Sequence, residues 1–294
     1  MIDDKGLTEA ETECINKHFP RNASLIFENL KKYKEKWKLT KVVLIEYFSV
    51  SCLFYCQSEK YGEAVFKVVH NCFEVKTEVN YLFTYQNKSH VKLYDYDLED
   101  RVILLERIMP GHGLRNLQLE KRIDIFCELF KGLHSETNTY EYPNYQSWLT
   151  NMLEFLKEQK AQSNLYLKLI KANELYLELK NEYASDRLLH GDLHHDNILL
   201  DSNNYYKIID PRGVIGNPIF DIGRFIHNEF TEEDEVIFKI KFIIDRISNN
   251  LSIPKAVINK VLFIDVVLSN SWNIEDGQKI DQRAIELVEN LINE

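Results

Sequence analysis

The stretch "LLHGDLHHDNILL", residues 188–200, holds three histidines, two aspartates and an asparagine between leucines. Charged and amide side chains are uncommon in buried apolar strands unless they are paired or do chemistry. This concentration of polar groups therefore predicts a functional loop next to a buried strand. Asp192 and Asn197, five positions apart, are its first candidate residues.

A second polar segment, "YKIIDPRG" (206–213), adds Asp210 thirteen residues after Asn197. Two short strands joined by a turn are predicted between them, and this hairpin would bring Asn197 and Asp210 to the same end of a ribbon. One carboxylate and one amide oxygen suit an Mg²⁺ ion that is shared with phosphate oxygens. Asp192, on the preceding loop, would orient a hydroxyl and accept its proton late in a phosphoryl transfer.

The first third of the chain is typical of an antiparallel sheet. On the third predicted strand, Lys67 is positioned like the lysine that pairs with nucleotide phosphates in kinases. On the helix that follows, Glu78 is the candidate partner carboxylate, with Glu74 as the alternative. β-Rich runs separated by polar turns predict five strands, at 41–48, 52–58, 63–69, 90–97 and 101–108, with a helix at 75–85 after the third.

After "MPGHG" (109–113) the apolar spacing is chiefly helical. We predict an α+β fold with a small antiparallel β lobe that carries one helix, at 1–105, and a larger helical lobe at 114–294. A hinge at 106–113 joins them. In that hinge the backbone carbonyl of Glu106 and the backbone N–H of Ile108 are in register for the edge of an adenine.

The amino-acid composition and the charge distribution indicate a globular protein that does not bind nucleic acids. The 294 residues are 45% hydrophobic and 28% charged, which is typical of a globular protein. Residues 1–110 carry 16 basic and 17 acidic side chains, and residues 111–294 carry 20 and 29, so the two parts have net charges of −1 and −9. A nucleic-acid reader would have the opposite sign. The acidic second part fits a small cationic partner, although an acidic solvated surface is the alternative.

No apolar run approaches the length of a membrane span, which is roughly 18–20 residues. The N-terminal "MIDDKGLTEAETE" also lacks the apolar core of a signal peptide. We therefore expect a cytoplasmic protein without membrane or nucleic-acid partners, present as a monomer or a weak dimer.

These motifs resemble those of the aminoglycoside phosphotransferase superfamily, which has a bilobal, protein-kinase-like fold. The first motif, "LLHGDLHHDNIL", is similar to the superfamily as a whole. The continuation "IIDPRGVIGNPIFDIGRF" (208–225) resembles the branch of streptomycin 6-kinases and hydroxyurea phosphotransferases. Further similarity to this branch lies in "VKLYDYDLEDRVILLERIMPG" (91–111) and, more weakly, in "VLSNSWNIEDG" (267–277).

The resemblance implies a role for each matching residue. Asp192 would be the catalytic aspartate, and Asn197 and Asp210 would be Mg²⁺ ligands. Lys67 would hold the nucleotide phosphates, and Glu78 would hold Lys67. Two residues would support the catalytic loop, His190 and Asp221, the latter by accepting backbone hydrogen bonds or as a helix N-cap.

The chain departs from the branch pattern at several positions. The turn after the first strand, "FSVSCLF", has no glycine, so contact with the nucleotide would fall to Ser49 and Ser51. Arg212 stands where the branch usually has lysine, which keeps the charge and changes its geometry. Asn217 replaces a frequent aspartate and so removes one negative charge.

On the acceptor side, the ring of Trp272 and the carboxylates of Glu275 and Asp276 are candidate contacts for a cationic, hydroxylated ligand. Asp196, next to the metal ligands in sequence, would add negative potential. The alternative explanation for Glu275 and Asp276 is the favourable charge at the start of a helix.

Three functions follow from this pattern. The first is an ATP-dependent kinase that phosphorylates a hydroxyl of an aminoglycoside such as streptomycin, with GTP not excluded as donor. The second keeps the chemistry and changes the acceptor to choline, a sugar, an amino alcohol or hydroxyurea, because a fold does not fix a substrate. The third is a nucleotide-binding pseudoenzyme, against which the full set of Lys67, Asp192, Asn197 and Asp210 argues.

Overall fold

The computed structural model describes residues 6–45, 51–86, 89–136, 140–159, 163–231 and 235–293. These residues form ten α-helices and ten β-strands, and the chain divides into two compact units. The first unit comprises 1–112 with 199–209, and the second comprises 113–198 with 210–294. The segment 199–209, which lies within the predicted helical lobe, thus groups with the first unit.

An antiparallel sheet with the strand order β1-β2-β3-β5-β4 forms the centre of the first unit. On the central strand β3, Lys67 lies opposite Leu53 on one side and Ile103 on the other. The helix α3 (Cys72–Thr84) follows β3, as predicted. The strands are β1 (Leu39–Leu44), β2 (Ser51–Ser58), β3 (Gly62–Val69), β4 (Leu93–Asp97) and β5 (Val102–Glu106).

Two N-terminal helices, α1 (Glu9–His18) and α2 (Ala23–Lys36), precede the sheet. The apolar face of α2 shares one buried core with aromatic side chains of β2 and β3, including Phe54 and Phe66. Our sequence analysis assigned no helix to α1. Its start has a capping box, in which Thr8 and Glu11 exchange hydrogen bonds at the first turn.

Five further short strands lie between residues 110 and 216. Of these, the sequence analysis predicted β8 and β9, which a polar turn separates, and it did not predict β6, β7 and β10. A three-stranded sheet has the order β6-β8-β9, and a two-stranded antiparallel sheet pairs β10 with β7. The strands are β6 (Pro110–Gly113), β7 (Arg187–Leu189), β8 (Ile198–Asp201), β9 (Tyr206–Ile208) and β10 (Val214–Gly216).

The second unit is helical, and α9 lies at its centre. Nearly every residue of α9 from Val257 to Ser271 is buried, because α5, α6, α7, α8 and α10 pack around it. A helix that is apolar on all sides has to be enclosed in this way. The helices are α4 (Leu119–Leu133), α5 (Tyr145–Glu158), α6 (Ser163–Glu182), α7 (Phe220–His227), α8 (Val236–Leu251), α9 (Lys255–Glu275) and α10 (Gln282–Asn293).

Each helix within the described ranges is too short or too polar to span a membrane.

Candidate active site

The start of the loop between β7 and β8 is held by a buried carboxylate. Asp221, in the first turn of α7, accepts hydrogen bonds from the backbone N–H groups of His190 (2.9 Å) and Gly191 (2.8 Å). His134 Nε2 lies 2.9 Å from the same carboxylate. Burial raises the pKa of Asp221, but His134 and the Gly191 N–H outweigh burial and keep this pKa below its usual value. Asp221 is therefore an ionised anchor for the loop.

His190 fixes the next turn of the loop from inside. Its side chain is fully buried, and its Nδ1 accepts a hydrogen bond from the backbone N–H of Asp192 at 3.1 Å. Its backbone carbonyl accepts a hydrogen bond from the N–H of Arg212 at 2.8 Å. Gly191 has φ +79°, and a Cβ on it would lie 2.8 Å from the ring of Trp148, so glycine is required there.

The carboxylate of Asp192 is partly exposed and surrounded by basic groups. Its Oδ1 lies 3.3 Å from Nε of Arg224. Its Oδ2 lies 3.9 Å from Nε of Arg212 and 4.0 Å from Nε2 of His194. Burial lowers the pKa of His194, which leaves the two arginines as the cations beside Asp192 at neutral pH.

Asn197 ends a short 3-10 helix, His195–Asn197, and is buried. Its amide nitrogen donates a hydrogen bond to the backbone carbonyl of Asp192 at 2.9 Å. This bond commits the nitrogen, and the oxygen, which is the atom that a metal would need, lies on the other side of the amide. The same hydrogen bond fixes the spacing between Asn197, the candidate metal ligand, and Asp192, the candidate catalytic residue.

Asn197 directly precedes β8, and Asp210 follows β9 by two residues. The two residues therefore flank the open end of the β8–β9 hairpin. Asp210 has φ +57°, a left-handed conformation that is uncommon for aspartate and found often at functional sites. No group of three or more His, Cys, Asp or Glu suited to a metal occurs within the described parts of the chain. Two oxygen donors fit Mg²⁺, which takes few protein ligands and completes its shell with phosphate oxygens and water.

In the first unit, Lys67 and Glu78 form a buried ion pair. Nζ of Lys67 lies 2.7 Å from Oε2 of Glu78, and each side chain is only 5% exposed. Glu78 is on the buried side of α3. The structure thus brings Lys67 and Glu78 together, as the sequence analysis predicted.

The predicted hinge residues adjoin a second ion pair. The carboxylate of Glu106, the last residue of β5, accepts hydrogen bonds from Nζ of Lys207 (2.8 Å) and the backbone N–H of Lys92 (3.2 Å). This side chain is therefore committed, and the predicted contact to a base uses only the backbone. Ile108 is buried. Ser51 is the buried first residue of β2, and Ser49 lies outside the described residues.

Two tryptophans meet beside the catalytic loop. Trp272 packs edge to face on Trp148, with ring centroids 5.5 Å apart, and Trp148 in turn adjoins Gly191. Glu275 is the last residue of α9, and Asp276 follows it as C-cap. The alternative of a favourable charge at a helix start is therefore wrong, because these carboxylates lie at the C-terminal end, where the helix dipole is negative. Partial burial and the charge of Asp276 raise the pKa of Glu275.

Asp196, the remaining acceptor-side candidate, forms a two-pronged ion pair with Arg115. Nε of Arg115 lies 2.8 Å from Oδ1 and its terminal nitrogen lies 2.9 Å from Oδ2. This pairing offsets the negative potential that the sequence analysis expected from Asp196.

Among the residues that the sequence analysis did not name, Trp148 and Arg224 lie beside Asp192 or its loop, and Asp265 pairs with Arg224. Arg224 follows Asp221 by three positions on α7, so a helical spacing could have placed both on one side. Asp265 is the only charged residue in the apolar run "VLFIDVVL" (261–268). An isolated charge in such a run indicates a buried pair.

Comparisons with known proteins identify the family and the fold. The aminoglycoside/hydroxyurea antibiotic resistance kinase family matches residues 36–277. The streptomycin 6-kinase of Streptomyces glaucescens is 23% identical over 232 residues, which cover 74% of this chain and 73% of that protein.

Two solved structures share the fold. Choline kinase LicA from Streptococcus pneumoniae matches with a TM-score of 0.65 and 13% identity over 92% of this chain and 98% of its own. Aminoglycoside phosphotransferase APH(3'')-Id from Streptomyces rimosus, solved with ADP and streptomycin, matches with a TM-score of 0.62 and 14% identity over 83% and 98%. The predicted α+β, protein-kinase-like fold is confirmed. The chain belongs to the aminoglycoside/hydroxyurea antibiotic resistance kinase family and is a phosphotransferase with an alcohol group as acceptor.

Proposed function

We propose that this protein transfers the γ-phosphoryl group of ATP directly to a hydroxyl of an aminoglycoside such as streptomycin. The observation that carries the proposal is the loop in which a buried, ionised Asp221 fixes the backbone on the N-terminal side of Asp192, while Asn197 binds the Asp192 carbonyl. The similarity to streptomycin 6-kinase supports the choice of acceptor.

Each chemical role in the proposed transfer falls to a side chain with a suitable environment. Asp192 accepts a hydrogen bond from the acceptor hydroxyl and takes its proton late in the transfer. Lys67, held by Glu78, binds phosphate oxygens of the nucleotide. Asn197 and Asp210 would hold Mg²⁺, which neutralises charge on the phosphates when bound. Catalysis then comes mainly from positioning.

The acceptor is proposed to be cationic. Trp272 and Glu275 are three residues apart at the end of α9 and so lie on one side of the helix, with Asp276 beside them. An aromatic face and two carboxylates attract ammonium or guanidinium groups. The net charge of −9 over residues 111–294, from 20 basic and 29 acidic side chains, acts in the same direction.

A second candidate is a kinase for choline or another amino alcohol. The pair of tryptophans beside the catalytic loop favours it, because aromatic rings bind quaternary ammonium groups well. The chemistry at Asp192 would be the same, and only the acceptor would differ.

Release of ADP from Mg·ATP across a panel of acceptors tests the proposal. The panel contains streptomycin, several 2-deoxystreptamine aminoglycosides, hydroxyurea, choline and simple sugars, and the D192N variant is assayed in parallel. We expect turnover on streptomycin that falls at least about a thousandfold in D192N. Turnover on choline alone would favour the second candidate. Equal activity of D192N on every acceptor would contradict both.

A further inference from the structure

Arg224 is shared between two carboxylates. Its Nε lies 3.3 Å from Oδ1 of Asp192 and 3.4 Å from Oδ1 of Asp265, and its side chain is 17% exposed. The guanidinium is attracted to both carboxylates, and its planar fork limits the orientations in which it can face the two of them.

The second carboxylate and its surroundings fix Arg224 in place. Burial raises the pKa of Asp265, but the charge of Arg224 and the hydrogen-bonding His227, whose Nδ1 lies 2.9 Å from Asp265 Oδ2, bring this pKa below its usual value. The ring of Trp272 lies 5.8 Å from the guanidinium. At Gly223, an added Cβ would lie 2.7 Å from the Cβ of Asp265, so the close approach of α7 to α9 depends on this glycine.

The other cation beside Asp192 is held differently. The Arg212 side chain is 44% exposed, and its Nε is 3.9 Å from Oδ2 of Asp192. The shorter contact, from the buried arginine, is to Oδ1. The two oxygens of Asp192 therefore have distinct environments: Oδ1 is in close ion-pair contact with Arg224, and the basic groups near Oδ2 are more distant.

We propose that Arg224 is the positioning residue for Asp192: it holds Oδ1 and thereby presents Oδ2 to the acceptor hydroxyl. The inference rests on the proposed function, since it assigns the geometry of the same catalytic carboxylate. In this proposal Arg224 acts on Asp192 alone and contacts neither the nucleotide nor the acceptor.

The test is a double-mutant cycle between R224M and D192N. We expect R224M to lower kcat about a hundredfold, because a small misplacement of a catalytic group has an effect of this size. The KM and Kd for ATP should change less than about threefold, since Arg224 binds no part of the nucleotide. In the D192N background, assayed at high enzyme concentration, R224M should have no further effect on kcat.

The matched control is R246M. Arg246 is an exposed arginine on α8 whose ion pair is with Asp124, at 2.6 Å, and its loss should leave kcat unchanged. If R224M does not fold, as judged by thermal unfolding, R224K replaces it. Lysine keeps the charge but has no planar fork, and we expect kcat to fall about tenfold.

Three results would overturn the inference: a kcat of R224M within about threefold of wild type, an unchanged kcat of R224K, or an equal loss of kcat from R224M in the wild-type and D192N backgrounds. The last would mean that Arg224 supports the fold without acting on Asp192. A wild-type protein without ATP-dependent turnover, or a fully active D192N, would instead refute the proposed function, and this failure is visible before any Arg224 variant is assayed.

Discussion

Buried charged side chains fix the positions of the groups to which we assign the proposed chemistry. Asp221 is ionised although it is enclosed, because backbone N–H groups and His134 compensate for lost hydration. Lys67 and Glu78 compensate each other in the same way. Such groups contribute little net stability, but removing one partner leaves the other buried and unpaired. Their value is the fixed position of the remaining atoms.

Variants of the Lys67–Glu78 pair distinguish its contribution to stability from its contribution to activity. We expect K67M to lower the free energy of unfolding by about 3 kcal/mol, because the buried Glu78 loses the ammonium group that faces it at 2.7 Å. The double variant K67M/E78L should recover most of that loss, since both charges are gone and the volumes are similar. Chemical denaturation of wild type, K67M and K67M/E78L measures these differences in the free energy of unfolding.

Phosphotransfer should be lost in both Lys67 variants, whatever their stability, because the phosphate-binding cation is absent. An active K67M/E78L protein would contradict the role of Lys67. E178Q serves as the control, since Glu178 forms an exposed pair with Lys260, and its stability should change by less than about 1 kcal/mol.

At the scale of the elements, the carboxylate of Glu229 links the 3-10 helix of the catalytic loop to two α-helices. Oε1 of Glu229 lies 2.7 Å from Nε2 of the fully buried His195 and 2.9 Å from Arg122 of α4. Its Oε2 lies 2.5 Å from Lys239 of α8. Two helices and the loop therefore converge on Glu229. Burial raises its pKa, but His195 and Lys239 outweigh burial and lower it to about 2.

This cluster predicts a pH-dependent loss of stability in E229Q. At neutral pH the variant should be less stable by about 3 kcal/mol, as for other broken buried pairs. The folded-state pKa of Glu229 is depressed, so its contribution is complete above the ordinary value of 4.5 and is lost as pH falls toward about 2. The difference between wild type and E229Q, measured by urea unfolding, should therefore be smaller at about pH 3 than at pH 7. A difference that is the same at both pH values would contradict the assignment.

The elements also show what local sequence can predict. The strands β1 to β5 and α3 were predictable because apolar alternation and helical spacing extend over five or more residues in each. The helix α1 has a capping-box signal at Thr8 and Glu11 that could have been used. The three-residue strands β7 and β10 owe their existence to pairing with each other, which no local pattern encodes.

At the scale of the whole molecule, the kinase-like fold and the ion pair of Lys67 with Glu78 were predictable, and the contacts between the helices of the second unit were not. Asn197 and Asp210 flank the β8–β9 hairpin, and Asp192 lies six residues before β8, so a short stretch of sequence contains all three. The contacts of Trp148 with Trp272, and of Arg224 with Asp265, join helices that are remote in sequence. Their proximity depends on how α5, α7 and α9 pack, which a single sequence does not reveal.

The most direct test of the central claim is to isolate the product. The acceptor with the highest turnover is incubated with Mg·ATP, and mass spectrometry and phosphorus NMR quantify phosphorylated acceptor against ADP, for wild type and D192N. We predict one phosphomonoester on the acceptor for each ADP from the wild-type protein, and almost none from D192N. ADP without phosphorylated acceptor, or the same product yield from D192N, would contradict direct phosphoryl transfer at Asp192.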